Sequence, residues 1–373
     1  MKKILLVTTV RTGAGHKSIS DALTEQFAGI PDVEIKTIDG FELPGRIGMP
    51  LSSLYGTMTR RVPKVYDMAW RITMKHPPAF RPAARLCRRR FEECLRGFHP
   101  DLILTVHSCF NVVLTRMLER LGLNIPVVVL QADLINIHST WCNPRAYRTI
   151  CLTREAYDAS ILQGMPADKL QVMQFPVRSR FCEAAKETDS RAYTPSRSLR
   201  CLMMSGGEGT GHVKAYAESI LKNTDAELTV VCGRNGKLEN RLARGLGRQY
   251  GSRMKVLGFV TDPEQKMLRS DLLVTRASPN TLSEAIVMAV PLIVIGPMPA
   301  QEKDNPTLIS KYNLGVVSES PGDIPRMIRD LLDNDAERLT EIRDSQRSRR
   351  SFESARKIAV YVAELAEPLD YTI

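Results

Sequence analysis

The chain has 373 residues, of which 43% are hydrophobic and 25% charged, with a formal net charge of +11. This length suits two domains of ordinary size, and the composition excludes an intrinsically disordered chain. No apolar run approaches the roughly 18 residues of a transmembrane helix, so no membrane span is expected.

In the first half, short apolar segments alternate with helical patterns. Lys3–Val10 is predicted to be the first strand and not a signal peptide, because its apolar run is short and no small-residue cleavage site follows. Lys17–Phe27 is predicted to be a helix. Further strands are predicted at Val33–Asp39, Leu102–Val106, Val127–Leu130 and Thr149–Leu152.

The second half repeats this scheme, with helical patterns between short β-branched segments. The predicted strands are Leu199–Met204, Leu228–Val231, Lys255–Val256, Leu272–Val274, Leu292–Ile295 and Gly315–Val317. Strands that alternate with helices indicate parallel sheets covered on both faces. The sequence therefore predicts an α/β protein made of two Rossmann-like domains that face a cleft.

The two halves open with similar turns between a strand and a helix. The first contains Gly15 and His16, and the second runs from Gly206 and Gly207 to His212. Glycines let the backbone approach a ligand, and a helix N-terminus attracts negative charge. The alternative is that these glycines serve only tight packing between strand and helix.

The domain boundaries follow from these patterns. Residues 1–178 are predicted to be an N-terminal domain, and 179–198, which is polar and arginine-rich, a linker. Residues 199–350 are predicted to form a C-terminal domain. Residues 351–373 are predicted to be a final helix, for which packing on the N-terminal domain is one option.

The positive charge is concentrated in the first half, where residues 1–178 hold 24 Lys/Arg against 15 Asp/Glu. Arg88, Arg89 and Arg90 lie beside an apolar stripe at helical spacing, which is formed by Ala84, Cys87, Phe91, Cys94 and Phe98. Such a helix can bind an anionic membrane surface. Upstream, Val65–Ile72 has few acids and is typical of an interfacial segment. The alternative is an amphipathic core helix with a solvated face.

The eight cysteines form no CxxC pair and lie mostly in apolar stretches, which favours reduced cysteines in the cytosol. No DxD motif stands at a suitable strand end. We therefore expect no metal and no cofactor. The chain also lacks the motifs of a zinc finger or an RNA-binding domain, which argues against nucleic acid as the partner.

A series of motifs, in order along the chain, carries a family resemblance. They are Gly13–His16, Pro100–His107, Gln131–Leu134, His138–Trp141, Gly206–Gly209, Val231–Asn235, Gly258–Val260, Thr275–Thr281 and Gly296–Asn305. Over nearly its whole length the chain resembles the glycosyltransferases that build monogalactosyl- or monoglucosyl-diacylglycerol. These are related to the peptidoglycan GlcNAc transferase and share its GT-B fold.

The resemblance implies that residues 1–178 form an acceptor and membrane-binding domain and that residues 199–350 form a UDP-sugar-binding domain. Glu284 would accept hydrogen bonds from both ribose hydroxyls, Gln301 and Glu302 would contact the sugar, and Phe259 and Val260 would cover the uracil. The remaining expected donor contacts are Gly206, Gly207, Gly233, Arg234, Ser278, Asn280 and Thr281. For Glu284 the alternative is a capping box with Thr281, and for Gln301 and Glu302 a solvated helix start.

Two residues compete for the role of catalytic base. His16 stands beside a helix N-terminus, whose field would lower its pKa and keep the imidazole neutral. Asp133 follows a strand and would face the cleft. The alternative for His16 is a hydrogen bond to the phosphates or the acceptor. Gly15, His107 and Trp141 are expected on the acceptor side.

These inferences predict an inverting, metal-independent transfer of galactose or glucose from a UDP-hexose to diacylglycerol, by a cytoplasmic, peripherally membrane-associated enzyme. One alternative is transfer to another lipid-linked acceptor, as the GlcNAc transferase does. Others are a UDP-sugar epimerase of the same fold, a non-catalytic UDP-sugar sensor and a basic nucleic-acid-binding protein. The sequence does not decide between the two hexoses, because they differ in the direction of one hydroxyl.

Overall fold

The computed structural model describes residues 1–9, 14–45, 63–75, 81–187, 193–194, 196–204 and 212–372. The chain divides into two compact units. The first contains Met1–Arg178, Pro299–Glu302 and Glu353–Ile373, and the second contains Ser179–Met298 and Lys303–Phe352. The predicted site residues Gly206 and Gly207 lie outside the described residues.

Each unit is built on one parallel sheet of six strands. The first sheet has the order β2-β1-β3-β4-β5-β6 and the second β12-β11-β10-β7-β8-β9. The strands of the first sheet are β1 (Lys2–Thr8), β2 (Val33–Asp39), β3 (Leu102–Thr105), β4 (Val127–Leu130), β5 (Arg148–Cys151) and β6 (Leu170–Val172). Those of the second are β7 (Arg200–Met204), β8 (Glu227–Val231), β9 (Met254–Leu257), β10 (Leu272–Thr275), β11 (Leu292–Ile295) and β12 (Gly315–Ser318).

Helices connect these strands. In chain order they are α1 (Ala14–Phe27), α2 (Pro63–Lys75), α3 (Arg81–Phe98), α4 (Ser108–Leu121), α5 (Arg154–Leu162), α6 (Ser179–Lys186), α7 (Val213–Asn223), α8 (Gly236–Leu242), α9 (Pro263–Leu268), α10 (Pro279–Val287), α11 (Asn305–Lys311), α12 (Ile324–Arg349) and α13 (Ser354–Leu365). Helix α12 is interrupted by non-helical backbone at Asp333–Ala336. Short turns of 3₁₀ helix include Ser139–Trp141 and Ala300–Glu302.

The α/β prediction is confirmed, since every predicted strand is present with ends that differ by at most two residues. The central strands β3, β4, β10 and β11 are buried along their whole length, as strands covered on both faces must be. Among the described helices, none combines the length and hydrophobicity needed to cross a membrane. All eight cysteines are free.

Helix α3 corrects one interpretation of the sequence. Its predicted interfacial stripe does not face outward: Ala84, Cys87, Phe91 and Phe98 are buried in the core of the first unit, and Cys94 is half-buried against it. A helix that covers a sheet shows the same apolar spacing as a helix on a membrane, so the pattern alone does not separate them. The basic residues lie on the exposed side of α3.

The predicted linker 179–198 contains a helix at Ser179–Lys186, while residues 188–192 and 195 lie outside the described residues. It begins with α6, in which Phe181 and Cys182 are buried, and this helix packs on α9 and α10 within the second unit. Arg180 strengthens the contact, with Nε 3.3 Å from Oε2 of Glu264. Arg180, one of the arginines that indicated a linker, is therefore part of an ion pair within the second unit.

Asp271, which directly precedes β10, binds two arginines of the second unit. Its carboxylate accepts hydrogen bonds from both terminal nitrogens of Arg197, at 2.6 and 2.7 Å, and from Nε and Nη2 of Arg200. Burial opposes ionisation, but these bonds outweigh it and lower the pKa of Asp271 to about 2. The buried charge is thus fully paired.

Candidate active site

The carboxyl ends of parallel strands lie at one edge of a sheet, and several predicted site residues of the first unit follow strands there. Gly15 and His16 lie in the first turn of α1, after β1. His107 follows β3 and Asp133 follows β4. The first sheet therefore presents the two candidate bases and His107 at the same edge.

His16 is held in one tautomer. Its Nδ1 lies 2.7 Å from the carbonyl oxygen of Val106, which can only accept, so Nδ1 carries the proton and Nε2 has the lone pair. Burial lowers the pKa of His16 to about 4, against the opposing effect of the Val106 hydrogen bond. The neutral form expected from the sequence is therefore favoured, but burial is its main cause.

His107 complements His16. The two ring centroids are 4.6 Å apart, and Phe41 and Phe110 contact the His107 ring. Nδ1 of His107 accepts a hydrogen bond from the backbone N–H of Cys109, so in the neutral ring the proton is on Nε2. Burial and the neighbouring His16 lower its pKa well below the usual value. One imidazole thus offers an acceptor and the other a donor.

Asp133 is the second candidate base. Its Oδ2 accepts a 2.7 Å hydrogen bond from the indole Nε1 of Trp141. Burial raises the pKa of Asp133 to about 7; the Trp141 bond lowers it and the charge of Glu302 raises it. The predicted residues Asp133, Trp141 and Glu302 therefore form one group, and the carboxyl titrates near neutral pH.

Trp141 is held in place by a buried amide. Nδ2 of Asn111, on α4, donates to the carbonyl oxygens of Thr140 and Trp141 at 3.2 and 2.9 Å. Trp141 itself is only 2% exposed. The orientation of the indole N–H toward Asp133 is therefore fixed by α4, which also carries His107 at its N-cap.

The segment Pro299–Glu302 groups with the first unit, although the sequence placed it in the C-terminal domain. Oε1 of Gln301 accepts a 2.9 Å hydrogen bond from the phenol of Tyr66 on α2. The backbone N–H of Ala300 donates to Oδ1 of Asp67, and its carbonyl accepts from Nδ2 of Asn136. Gln301 and Glu302 are half-buried, so they are not a solvated helix start.

In the second unit, Ser278, Asn280, Thr281 and Glu284 surround the N-terminus of α10. Ser278 is the N-cap, and its hydroxyl donates to that of Thr281 at 3.0 Å. A capping box from Thr281 to Glu284 is excluded, because the helix already begins at Pro279. Glu284 is 7% exposed. The turn is supported by Asn305, whose Nδ2 donates to the carbonyl of Ala277.

The remaining donor candidates follow β8 and β9. Gly233 has a φ of 59°, a conformation that a side chain disfavours, and so turns the chain after β8. The guanidinium of Arg234 lies 5.1 Å from the ring centroid of Phe259, which is 57% exposed. Val260 is half-buried. An exposed aromatic ring backed by a cation is a surface on which a planar base can stack.

The sequence reasoning gave no role to Tyr66, Asp67, Asn136 or Asn305. Asn305 entered only as the end of the motif Gly296–Asn305. Tyr66 and Asp67 entered only within the interfacial segment Val65–Ile72, because their partners are more than 200 residues away in the chain. Within the described ranges, His, Cys, Asp and Glu do not gather into a group of three that could hold a metal ion.

Both halves match known families. Residues 16–177 match the monogalactosyldiacylglycerol (MGDG) synthase family, and residues 212–355 match the glycosyltransferase family 28 C-terminal domain. The chain is a glycosyltransferase related to the diacylglycerol glycosyltransferases. This confirms the resemblance inferred from the motifs.

The glycosyltransferase has relatives of known name along its whole length. It is similar to monogalactosyldiacylglycerol synthase 2, chloroplastic, of Arabidopsis thaliana, with 26% identity over 98% of this chain and 81% of the relative. Synthase 3 of the same plant is also 26% identical, over 92% of this chain and 77% of the relative.

Solved structures confirm the GT-B fold. The glycosyltransferase is similar to MurG of Acinetobacter baumannii with a TM-score of 0.66 and 13% identity, over 98% of this chain and 100% of that one. It is also similar to the UDP-GlcNAc 2-epimerase of Neisseria meningitidis bound to UDP-GlcNAc, with a TM-score of 0.63 and 13% identity, over 97% and 100% of the chains. At this identity the likeness extends to the fold alone.

Proposed function

We propose that this glycosyltransferase transfers galactose or glucose from a UDP-hexose to the free hydroxyl of diacylglycerol, with inversion at C1 of the sugar. The observation that carries the proposal is the pair of candidate bases at one sheet edge: His16 with its Nε2 lone pair, and Asp133 with a raised pKa. The names of the similar MGDG synthases support diacylglycerol as the acceptor.

In the proposed step, the acceptor oxygen attacks C1 of the hexose as the bond from C1 to the UDP oxygen breaks. UDP leaves with the electron pair, and the hydroxyl proton passes to the base. His16 can accept it at Nε2 because burial keeps the ring neutral at pH 7. Asp133 can accept it only in its ionised form, which is about half populated near pH 7.

The donor is proposed to bind the second unit. The two ribose hydroxyls would donate to the carboxylate of Glu284, and the uracil would lie against Phe259. The diphosphate would be met by the N-terminus of α10 and by the turn with Gly206 and Gly207, with no metal ion. Gln301 and Glu302 would contact the sugar hydroxyls, and Trp141 and His107 the acceptor side.

The acceptor lies in a bilayer, so we propose a cytoplasmic protein that associates peripherally with an anionic membrane. The exposed basic side of α3, with Arg88, Arg89 and Arg90, supports this proposal. Each basic residue near such a surface contributes about 1 kcal/mol to binding.

The test is UDP release by the purified protein with UDP-glucose, UDP-galactose or UDP-GlcNAc, with and without diacylglycerol in anionic micelles. We expect release with one hexose only when diacylglycerol is present, and the same rate in EDTA. Loss of activity in EDTA would contradict the metal-independent step.

Other outcomes point to the alternatives. UDP release at the same rate with and without diacylglycerol would indicate another acceptor. Conversion of UDP-GlcNAc without UDP release would indicate an epimerase. His16→Ala distinguishes an enzyme from a sensor. In an enzyme the variant should lose turnover, whereas a sensor has no turnover and would keep its affinity for UDP-hexose.

A further inference from the structure

Helix α2 has an exposed apolar face. Val65, Met68 and Ile72 are 54%, 65% and 55% exposed, and their spacing of three and four residues places them on one side of the helix. Three large apolar side chains exposed together on one helix form a patch that water does not favour. We call these three residues the outer face of α2.

Two cations lie along one edge of the outer face. Arg71 and Lys75 are both exposed on the same helix, and Asp67, the acid of α2, points instead toward Ala300. A helix with exposed apolar residues beside basic ones fits the boundary of an anionic bilayer, where the apolar groups enter the acyl region and the cations meet phosphates. Charge complementarity therefore identifies the occupant of this face as an anionic lipid surface.

The opposite side of α2 contacts the segment Pro299–Glu302. Tyr66 is 8% exposed and donates to Oε1 of Gln301, and Asp67 accepts from the backbone N–H of Ala300. These contacts hold both the side chain and the backbone of a segment that the proposed function assigns to the sugar.

The same helix is anchored on the acceptor side. The hydroxyl of Thr73 lies 3.0 Å from Nε2 of His138, and its carbonyl accepts from the hydroxyl of Ser139. His138 caps the 3₁₀ turn that carries Trp141. One helix of 13 residues therefore joins the exposed apolar face, the sugar segment and the turn of Trp141.

We propose that α2 couples docking on an anionic lipid surface to the positioning of Gln301 and Ala300, with Tyr66 and Asp67 as positioning residues. The inference rests on the proposed function, because it assumes that Pro299–Glu302 contacts the hexose. Docking of the outer face holds α2 in place. The hydrogen bonds of Tyr66 and Asp67 then hold the segment Pro299–Glu302 in place as well. The lipid surface and the UDP-hexose then bind cooperatively, each raising the affinity for the other by the same factor.

The test measures this reciprocity without turnover. UDP-glucose and UDP-galactose are titrated calorimetrically into the full-length protein, alone and with phosphatidylglycerol/phosphatidylcholine vesicles that contain no diacylglycerol. Vesicle binding is measured separately by sedimentation. For the wild type we expect the Kd of one UDP-hexose to fall about 3- to 10-fold with vesicles, the equivalent of one hydrogen bond becoming fixed.

Two variants test the two sides of α2 separately. Met68→Ser with Ile72→Ser should weaken vesicle binding and leave the Kd in solution unchanged. Tyr66→Phe keeps the ring and removes the hydroxyl, so it should sediment with vesicles like the wild type but show a smaller fall in Kd, because only the contact of Asp67 with Ala300 remains. Leu162→Ser is the matched control: Leu162 is 88% exposed on α5, and its loss should change neither quantity.

Full coupling in Tyr66→Phe, or vesicle binding by the double variant equal to that of the wild type, would overturn the inference. A wild-type Kd for UDP-hexose that is the same with and without vesicles would overturn the inference while leaving the proposed function intact. Failure to bind either UDP-hexose under both conditions would overturn the proposed function together with the inference.

Discussion

The indole Nε1 of Trp141 donates a 2.7 Å hydrogen bond to Oδ2 of Asp133, and burial raises the pKa of that carboxyl to about 7. His16, the other candidate base, has a pKa lowered to about 4. Two groups at one sheet edge therefore titrate some three pH units apart, which makes the choice of base measurable.

The pH dependence of kcat/KM should identify the base. A base works only when deprotonated, so activity should fall below about pH 7 if Asp133 accepts the proton, and only below about pH 4 if His16 does. The measurement is the acid limb of the pH profile with UDP-hexose and diacylglycerol. We expect the base whose pKa matches that limb to be the one whose loss, in His16→Ala or Asp133→Asn, abolishes turnover.

Glu302→Gln provides the control for this assignment. The charge of Glu302 raises the pKa of Asp133. If Asp133 is the base, removal of this charge should shift the acid limb of the pH profile to lower pH. If His16 is the base, the acid limb should stay in place. A limb near pH 7 that does not move in this variant would argue against Asp133.

Glu284→Gln tests the donor site. The substitution keeps the shape and removes the charge, so two charge-assisted bonds to the ribose would weaken. We expect the KM for UDP-hexose to rise at least about tenfold, with a smaller effect on kcat. Glu264→Gln is the control, because Glu264 is similarly buried in the second unit but pairs with Arg180. An unchanged KM in Glu284→Gln would remove Glu284 from the site.

Replacement of Arg88, Arg89 and Arg90 by Gln should weaken binding to anionic vesicles about tenfold. The loss is smaller than three free charges would give, because Nε of Arg88 and of Arg89 contacts Glu92 and Glu93. Sedimentation checks it, with the exposed Arg241, Arg244 and Arg248 changed to Gln as a control of equal charge. Equal weakening by both triples would mean that only net charge matters.

Asp271→Asn should destabilise the second unit by about 3 kcal/mol, because it leaves Arg197 and Arg200 without their shared carboxylate. The folded pKa of Asp271 lies below its ordinary value, so this stability is present above about pH 4 and is lost as pH falls toward about 2. Urea unfolding at pH 7 and pH 3 would show the difference shrink. The exposed pair of Asp344 and Arg347 is the control, for which Asp344→Asn should cost no more than about 0.5 kcal/mol.

The strands were predictable because buried parallel strands are continuous apolar runs, such as Val127–Leu130 and Leu292–Ile295, between polar turns. Strand β6 (Leu170–Val172) was missed, since two of its three residues are exposed and it lies at the sheet edge. Helix α6 was missed for a related reason: it is short, and polar residues surround Phe181 and Cys182.

The site was predictable where a residue follows a strand, as His16, His107 and Asp133 do. The bond between Tyr66 and Gln301 was not, because it joins residues 235 positions apart and no local pattern pairs them. The face of α3 was misjudged because helical spacing shows that one side is apolar but not what covers it.

The first unit is assembled from three separate stretches of the chain. Helix α13 packs on α1, where Nη1 of Arg356 donates to the carbonyl of Gln26 and Nζ of Lys2 donates to that of Ala363. A fragment cut at Arg178 would expose the apolar surface that α13 covers and would lack Pro299–Glu302. Chimeras that exchange the first unit between such proteins therefore need to transplant the 21 residues from Glu353 to Ile373 along with residues 1–178.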